Sequence, residues 1–303
     1  MVRTSLKTAI ILVNYNTAQD TIECIHSLVN CLSANYVVIV VDNHSSDDSV
    51  SQLDEHIKQY SSNLVQLIAA KENLGFAAGN NLGVSHALSM PHISHFWFLN
   101  NDTILKDDAL SPLIDQFERN NSSGLLGSKL LYYNPPHKLQ AVGGRINVVT
   151  AKVSLVGFNE EDHGQYDQEE HTLIDYVVGA SMFTSKQVIE KVGKMNEKLF
   201  LYVEELDWCK RMKVNGLSID YCPKSVIYHK QGVSTKQFER GQKSQMATFY
   251  QIRNLIYHYR LFYPLFIFSP IIRMLLRAVL YTLNEKQNFI KVYLRATRNS
   301  FRM

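Results

Sequence analysis

Residues 9–16 read AIILVNYN and residues 37–43 read VVIVVDN, and these two stretches decide the fold class of the chain. Each begins with five aliphatic residues, a pattern typical of a strand that is buried on both faces of a parallel sheet. Between them, apolar residues recur near helical spacing: Ile22, Ile25, Leu28 and Val29. Thr17 or Asp20 can cap this helix, so we predict a β-α-β unit.

The same alternation continues along the first hundred residues. Helical patterns at 47–60 and 75–88 alternate with strand patterns at 64–70 and 95–102. Strands that alternate with helices predict an α/β fold with a mainly parallel central sheet, flanked by helices and joined by right-handed crossovers. Residues 124–185 indicate mixed strands and a long polar loop.

Composition excludes several classes of protein. With 303 residues, 46% of them hydrophobic and 19% charged, the chain is neither collagen-like, nor of low complexity, nor wholly disordered. The length is that of one large domain or two modest ones. The apolar run at 9–13 is too short for a signal peptide, and we interpret it as a first strand.

The four cysteines, Cys24, Cys31, Cys209 and Cys222, form no CxxC pair. Their spacing predicts reduced thiols in the cytoplasm, most of them serving as small buried hydrophobic residues.

Charge divides the chain into two regions. Residues 236–303 carry twelve Lys and Arg against two acids, whereas residues 1–235 carry 19 Lys and Arg against 26 acids. The acidic body is not attractive to nucleic acid, so no nucleic-acid partner is expected. We predict a main domain at 1–235, made of two halves at 1–120 and 121–235, followed by a basic, aromatic helical region at 236–303.

Polar side chains follow each predicted parallel strand: Asn14 and Asn16, Asp42 and Asn43, Glu72 and Asn73, and residues 100–102. Because ligands of such sheets bind beyond the carboxyl ends of the strands, we expect these side chains to line one crevice. Neither a G-x-G-x-x-G nor a P-loop motif occurs, so a divalent cation is the expected partner of any bound phosphate. Asp102 is the natural ligand, although it could instead cap a helix at 107–119.

A second acidic group lies at Glu204, Glu205 and Asp207, where a helical pattern begins. Three neighbouring carboxylates repel one another and raise at least one pKa, which suits a general base or a cation site. Acids favoured by the dipole at a helix N-terminus explain the pattern equally well.

Seven motifs occur in order: VNYN (13–16), VDNHSSDDS (41–49), ENLGFAAGNN (72–81), FLNND (98–102), VGASMF (178–183), FLYVEELDWCKR (200–211) and HKQGVST (229–235). Together they resemble the inverting family 2 glycosyltransferases, within them the rhamnosyltransferase-like branch. The resemblance covers roughly residues 8–260. It implies a glycosyltransferase A (GT-A) fold and a nucleotide-diphosphate-sugar donor. On this basis residues 1–235 are the expected catalytic domain, with a donor-binding half at 1–120 and an acceptor and catalytic half at 121–235.

The resemblance also implies roles for the crevice residues. Asp42 matches the acid that accepts from the imide N–H of uracil or thymine. Asn100 and Asp102 lie on the D-x-D positions, so Asp102 is the expected ligand of Mg²⁺ or Mn²⁺, while an Asn at position 100 weakens the metal site. The donor site is expected to comprise Asn14, Tyr15, Asn16, Asp42, Asn43, Asn73, Gly75, Asn80, Asn100 and Asn101. Backbone N–H groups of the helix at 73–81 are further candidates for binding the diphosphate.

For catalysis, Glu205 lies where the family carries its general base, with Glu204 as second candidate. Asp207 is expected to support the site or to contact acceptor. His229 matches a residue that in some members reaches the cation or the diphosphate, and a purely structural His is the alternative.

The last region contains an aromatic, basic segment from Met246 onward. Its longest uncharged run, 261–272, is 12 residues long and contains Pro264 and Pro270, which is shorter than a membrane span. The pattern predicts an amphipathic segment in the plane of an anionic membrane surface. A helix packed against the catalytic core or a dimer partner is the alternative.

We therefore expect a cytoplasmic enzyme, peripheral on the inner face of the cell membrane. It would move a sugar, rhamnose being the first candidate, from a dTDP- or UDP-linked donor to a polysaccharide or lipid-linked oligosaccharide. A homo-oligomer is compatible with this expectation. Two alternatives remain. A nucleotidyltransferase would need a Gly-rich basic loop after the first strand, and VNYNTAQD (13–20) is not such a loop. A non-catalytic sugar-binding or membrane scaffold is favoured by the Asn at position 100.

Overall fold

The computed structural model describes residues 7–168, 174–230, 244–285 and 288–303. Within these ranges the strands are β1 (Lys7–Asn14), β2 (Tyr36–Asp42), β3 (Val65–Ala69), β4 (Ile93–Asn100), β5 (Thr103–Ile104), β6 (Ser123–Tyr132), β7 (Leu139–Ala141), β8 (Gly143–Asn147), β9 (Lys152–Val156), β10 (Ser181–Ser185) and β11 (Ser218–His229). The α-helices are α1 (Ala18–Cys31), α2 (Ser49–Ile57), α3 (Gly75–Leu88), α4 (Leu110–Arg119), α5 (Lys186–Val192), α6 (Glu204–Val214), α7 (Gln245–Phe262), α8 (Phe268–Glu285) and α9 (Phe289–Ser300).

One large sheet forms the centre of the molecule, in the order β3-β2-β1-β4-β10-β6-β11-β5, with β7 paired to β6. Strands β3, β2, β1 and β4 are mutually parallel, as predicted, and β6 and β11 form a second parallel pair. The register places Asn14 beside Asp42 and Val13 beside Asn100. The carboxyl ends of β1, β2 and β4 therefore lie at one edge, where the crevice was expected.

An antiparallel strand, β10, separates the two parallel groups, since it pairs with β4 on one side and with β6 on the other. The sequence indicated only mixed strands in this region. The N–H of Asn100 donates to the carbonyl of Ala180 at 2.9 Å, so the chain enters β10 directly beside the carboxyl end of β4.

The core explains why the aliphatic runs form central strands. Every residue of β2 is buried, as are most residues of β1 and β4. Fully burying a Val or Ile side chain stabilises the fold by about 1.5–3 kcal/mol. The aliphatic runs therefore gain most free energy at the centre of the sheet, where both of their faces are buried. All four cysteines are free thiols, and Cys24, Cys209 and Cys222 are buried in the core, as expected of small hydrophobic residues.

The C-terminal helices differ in how they pack. Helix α7 contributes Ile252, Leu255, Ile256 and Tyr259 to the main hydrophobic core. Helix α9 packs on α7, where Arg260 Nη1 donates to the carbonyl of Ser300 at 2.7 Å. The alternative of a helix packed against the catalytic core is thus observed for α7. The division of the chain at residue 235 stays a prediction, and residues 236–243 lie outside the described ranges.

Helix α8 exposes most of its apolar side chains, including Phe268, Leu276, Leu280 and Leu283. Among the described residues, one stretch, Pro264–Asn284, is long and apolar enough to cross a membrane by length and composition. The expectation that this region is too short to span a membrane is therefore wrong as to length. The expectation considered only the uncharged run at 261–272, whereas the helix continues through Arg273 and Arg277.

Candidate active site

Asp42 lies fully buried at the carboxyl end of β2 and is surrounded by hydrogen-bond donors. Its Oδ2 accepts from Asn14 Nδ2 at 2.7 Å and from Ser45 Oγ at 2.6 Å, and its Oδ1 accepts from the N–H of Ser45 at 2.9 Å. The carboxylate thereby holds the loop after β2 against the end of β1. Ser45 is a partner that the sequence motifs did not single out.

Asn14 and Asn101 connect this carboxylate to helix α1. Asn14 Oδ1 accepts from Thr21 Oγ1 at 2.8 Å, and Asn101 Nδ2 donates to both Thr17 Oγ1 and Thr21 Oγ1 at 2.8 Å. The ends of β1, β2 and β4 are thus joined to α1 by one buried polar network, and both asparagines take part in it. Such a network holds the edge of the sheet rigid.

Tyr15 and Asn16 lie at the rim above this network. Tyr15 is 46% exposed, and Asn16 has a left-handed backbone with φ 56°. Asn16 Oδ1 accepts from the N–H of Ser46 at 2.8 Å, which fixes the rim to the loop after β2. The exposed Tyr15 ring is available to a planar ligand.

Asn43, Asn73 and Gly75 come together at the start of α3. Asn43 Oδ1 accepts from the N–H of Leu74 at 3.0 Å, Asn73 Oδ1 accepts from the N–H of Gly75 at 3.0 Å, and the carbonyl of Phe200 accepts from the N–H of Phe76 at 2.8 Å. These three N–H groups already have partners. This corrects the expectation that the start of this helix offers them to a diphosphate.

Gly75 itself is required by its surroundings. Its φ is +78°, and a Cβ at this position would lie 2.2 Å from the carbonyl oxygen of Phe200. Asn80 is buried and donates to the carbonyl of Phe76 in its own helix at 2.9 Å. Its placement in the donor site stays a prediction.

Asp102 and His229 form the second cluster, with Asp102 Oδ1 3.0 Å from His229 Nε2. The Nδ1 of the same ring lies 2.8 Å from Gln140 Oε1, and Asn100 Nδ2 lies 3.4 Å from Nε2. Asp102 is not a helix cap, because α4 is capped by Asp108, whose Oδ1 accepts from the N–H groups of Leu110 and Ser111.

This cluster fits a divalent cation bound together with a diphosphate. The part of the chain that the structure describes holds no group of three or more His, Cys, Asp or Glu side chains arranged for a metal. Asp102 and His229 nevertheless supply one carboxylate and one imidazole, and Mg²⁺ sites of nucleotide enzymes commonly use one or two carboxylates plus phosphate oxygens. Gln140 accepts from the far ring nitrogen, which turns Nε2 toward Asp102. No motif in the sequence pointed to Gln140.

The third cluster is the acidic pair Glu204 and Glu205 at the first turn of α6. Glu204 is 4% exposed, and its Oε2 has no hydrogen-bond partner among the described residues. Burial, together with the charge of Glu205, raises the pKa of Glu204 well above its usual range. Burial raises the pKa of Glu205 to about 7. A carboxyl with such a pKa can accept a proton at neutral pH, which favours a general base over ordinary dipole-stabilised surface acids.

Asp207 has a different environment one turn further along α6. It is 1% exposed, and its Oδ2 accepts from Arg211 Nε at 2.9 Å. Arg211 also donates to the carbonyls of Val192 and Lys194. Asp207 therefore ties α6 to the preceding loop, which agrees with a supporting role.

The loop that precedes the acidic pair is bound to the start of α3. The carbonyl of Phe200, four residues before Glu204, accepts from the N–H of Phe76 at the start of α3. That helix start is bound by Asn43 and Asn73, which follow β2 and β3. The loop before α6 and the ends of β2 and β3 therefore meet at the start of α3, while residues 231–235 of the last motif lie outside the described ranges.

Comparison with known proteins places this arrangement in a family. The profile of Glycosyl transferase family 2 matches residues 9–193. The low-salt glycan biosynthesis hexosyltransferase Agl10 of Haloferax volcanii is 26% identical over 234 residues, which are 76% of this chain and 69% of that protein. The dTDP-rhamnosyl transferase RfbF of Shigella flexneri is 22% identical, covering 80% of this chain and 77% of the relative.

Among solved structures, GalNAc-T7 with UDP, GalNAc and Mn²⁺ aligns with a TM-score of 0.65 and 13% identity over 85% of this chain. This chain spans about half (48%) of the GalNAc-T7 chain. The likeness shows the GT-A fold, which confirms the fold class expected from the sequence.

Proposed function

The chain belongs to glycosyl transferase family 2, whose members transfer sugars in glycan synthesis, and from this premise we propose that it moves rhamnose, or a related sugar, from a dTDP- or UDP-linked donor with inversion. The proposed acceptor is a growing polysaccharide or a lipid-linked oligosaccharide. The observation that carries the proposal is the acidic pair at the start of α6, in which Glu204 is buried, Glu205 is partly buried and the pKa of Glu205 is raised to about 7. The rhamnose assignment is supported by the name of the relative RfbF.

Glu205 acts as the general base in this proposal. An acceptor hydroxyl is a poor nucleophile at neutral pH, so Glu205 takes its proton while the oxygen attacks the anomeric carbon from the face opposite the diphosphate. One carbon–oxygen bond forms as the bond from the anomeric carbon to the diphosphate breaks. A single displacement of this kind inverts the configuration at that carbon.

Asp102 and His229 hold the divalent cation, Mg²⁺ or Mn²⁺, in this proposal. The bound ion supplies positive charge to the departing diphosphate. Gln140 keeps the His229 ring in the orientation that directs Nε2 toward Asp102. The Mn²⁺ in the GalNAc-T7 structure supports the use of a divalent cation, and the choice between the two ions is left to the assay.

Asp42 is proposed to recognise the base, with the exposed Tyr15 ring stacking on it. Asp42 Oδ1 accepts one hydrogen bond, from the N–H of Ser45, and a carboxylate oxygen has room for a second donor. Because Asp42 is fully buried, the imide N–H can reach it only if the loop at Ser45 moves aside. Asn16 at the rim holds that loop, and the buried Asn43 holds the start of α3.

We further propose that the enzyme works on the cytoplasmic face of the membrane. The exposed face of α8 carries Leu276, Leu280 and Leu283, with Arg273 and Arg277 on the same helix. Apolar side chains flanked by cations suit a surface of anionic lipid. Two alternatives use the same face of α8: the helix could cross the membrane, or it could pack against a second copy of this chain. Extraction from vesicles distinguishes insertion from surface binding, and sedimentation detects a dimer.

Donor hydrolysis without acceptor tests the enzymatic proposal against a sugar-binding scaffold. The protein is incubated with dTDP-rhamnose, and separately with UDP-sugars, in the presence of Mn²⁺ or Mg²⁺, and the released nucleoside diphosphate is measured. We expect slow release that requires the metal and falls in Asp102→Ala. Donor binding with no release and no transfer to any glycan acceptor would instead favour the scaffold, and release that does not depend on metal would contradict the metal assignment.

A further inference from the structure

The backbone immediately before the acidic pair is strained. Tyr202 has φ 67° and Val203 has φ 76°, so two successive residues other than glycine occupy the left-handed region. This region is unfavourable for residues with a Cβ and especially for a β-branched residue such as Val. Such a turn persists only where its surroundings hold it in place.

Asn254 of α7 holds this turn. It is fully buried, and its Nδ2 donates to the carbonyls of both Leu201 and Tyr202, each at 2.8 Å. Its Oδ1 accepts from Arg253 Nε at 2.8 Å, which fixes the orientation of the amide. Both amide hydrogens are therefore used on two successive carbonyls of the strained turn.

The neighbours of Asn254 fasten the residues just before the turn. Arg253 Nη2 donates to the carbonyl of Lys198 at 2.9 Å. The ring of Phe200 stacks on Tyr250 of α7, with 5.0 Å between the centroids. Because the carbonyl of Phe200 also accepts from the N–H of Phe76, residues 198–202 are bound between α7 and the start of α3.

We propose that Asn254 is a positioning residue for the acidic pair, holding the turn at 201–203 so that Glu204 and Glu205 enter the site from the first turn of α6. The inference rests on the proposed function, in which Glu205 takes the acceptor proton. Without the Asn254 amide, Val203 is free to leave the left-handed region, and the start of α6 then shifts. Displacements of about 1 Å at a reacting group can lower a rate by about 10²-fold.

A purely structural role for Asn254, as one more tie between α7 and the core, predicts something else. Loss of the tie would then lower stability and leave the turnover number of the folded enzyme unchanged. Tyr259→Phe is the matched control, because Tyr259 also lies on α7 and is buried, and its hydroxyl donates to the carbonyl of Val148 at 3.1 Å, far in sequence from the acidic turn.

The experiment compares the full-length parent with Asn254→Ser, Asn254→Ala and Tyr259→Phe. Transfer kcat, donor KM and the pH profile are measured for each protein, together with amide hydrogen exchange of residues 201–206. We expect kcat to fall about 10-fold to 10²-fold in Asn254→Ala and by less in Asn254→Ser, whose hydroxyl can donate to one carbonyl only. Donor KM should stay within about twofold, exchange at 201–206 should rise, and the acid limb of the pH profile should move to lower pH.

Tyr259→Phe should keep parental kcat and parental exchange at 201–206. The proposal is overturned if folded Asn254→Ala keeps parental kcat, or if it or Asn254→Ser keeps parental exchange there. It is also overturned if the control loses as much kcat as Asn254→Ala. If Asn254→Ala does not fold, Asn254→Ser carries the same comparison. Hydrogen exchange is independent of activity, so an inactive parent contradicts the proposed function and still leaves the positioning of the turn measurable.

Discussion

Asp102 Oδ1 and His229 Nε2 lie 3.0 Å apart although 127 positions separate the two residues. The pairing of β5 with β11 brings them together, since His229 stands opposite Thr103, the residue after Asp102. The acid of the FLNND motif and the His of the last motif therefore belong to one cluster.

Glu205→Gln should lower kcat by about 10²-fold to 10⁴-fold and leave donor affinity nearly unchanged, because glutamine keeps the shape of the side chain and takes no proton. Initial rates of sugar transfer and a donor titration measure the two effects. Glu204→Gln is the matched control and should be milder. If Glu205→Gln transfers sugar at the parental rate, Glu205 is not the general base. If Glu204→Gln is inactive, Glu204 is the general base instead.

The parental kcat should rise with pH through about 7, the pKa of Glu205, because only the ionised carboxylate accepts the proton. A pH–rate profile measured with saturating donor and acceptor checks this. The acid limb should be about tenfold per pH unit. A flat profile between pH 5.5 and 8, chosen to bracket that pKa by roughly a unit on each side, would contradict the base assignment.

Glu204→Gln should raise the melting temperature at pH 8. Glu204 is buried, its Oε2 has no hydrogen-bond partner within the part of the chain that the structure describes, and its pKa is raised, so the folded state binds its proton more tightly than the unfolded state. Its stabilising contribution is therefore present at pH values below the ordinary value of 4.5 and is lost as the pH rises toward the folded pKa. The gain over the parent should shrink as the pH is lowered. A simple dipole role predicts a loss of about 0.3–1 kcal/mol instead.

Gln140→Leu should raise the Mn²⁺ concentration that half-activates donor hydrolysis by about 10-fold to 100-fold, because His229 loses the acceptor that orients its ring. Asp102→Ala should abolish the metal response altogether. Metal titrations with and without EDTA measure both. Identical metal responses of the Gln140→Leu protein and its parent would show that the imidazole does not reach the cation.

Asp42→Ala should weaken donor binding and also lower stability by roughly 1–3 kcal/mol, since it leaves the buried Asn14 amide and the Ser45 N–H without their acceptor. Asp42→Asn keeps the volume and separates the two effects. Donor titration and chemical denaturation of both variants provide the measurement. Parental donor affinity in Asp42→Asn would remove this residue from base recognition.

Local sequence patterns are sufficient to predict the buried strands of this protein, the helices between them and the parallel sheet that they form. Aliphatic runs at 9–13 and 37–41 have no position other than a buried strand, and helical spacing between strands requires a parallel sheet whose carboxyl ends meet. The predicted helix at 75–88 matches α3, and the edge with Asn14, Asp42 and residues 100–102 lies where it was expected.

The contacts of those polar groups with other residues depend on the tertiary structure. The Gln140 contact to His229 spans 89 positions, and the Asn254 contacts to the acidic turn span 53 and 52. Neither partner lies in a motif, because a hydrogen bond across such distances leaves no periodic trace in the sequence. The same holds for the pKa of Glu205, which depends on burial, and burial is a property of the packed chain as a whole.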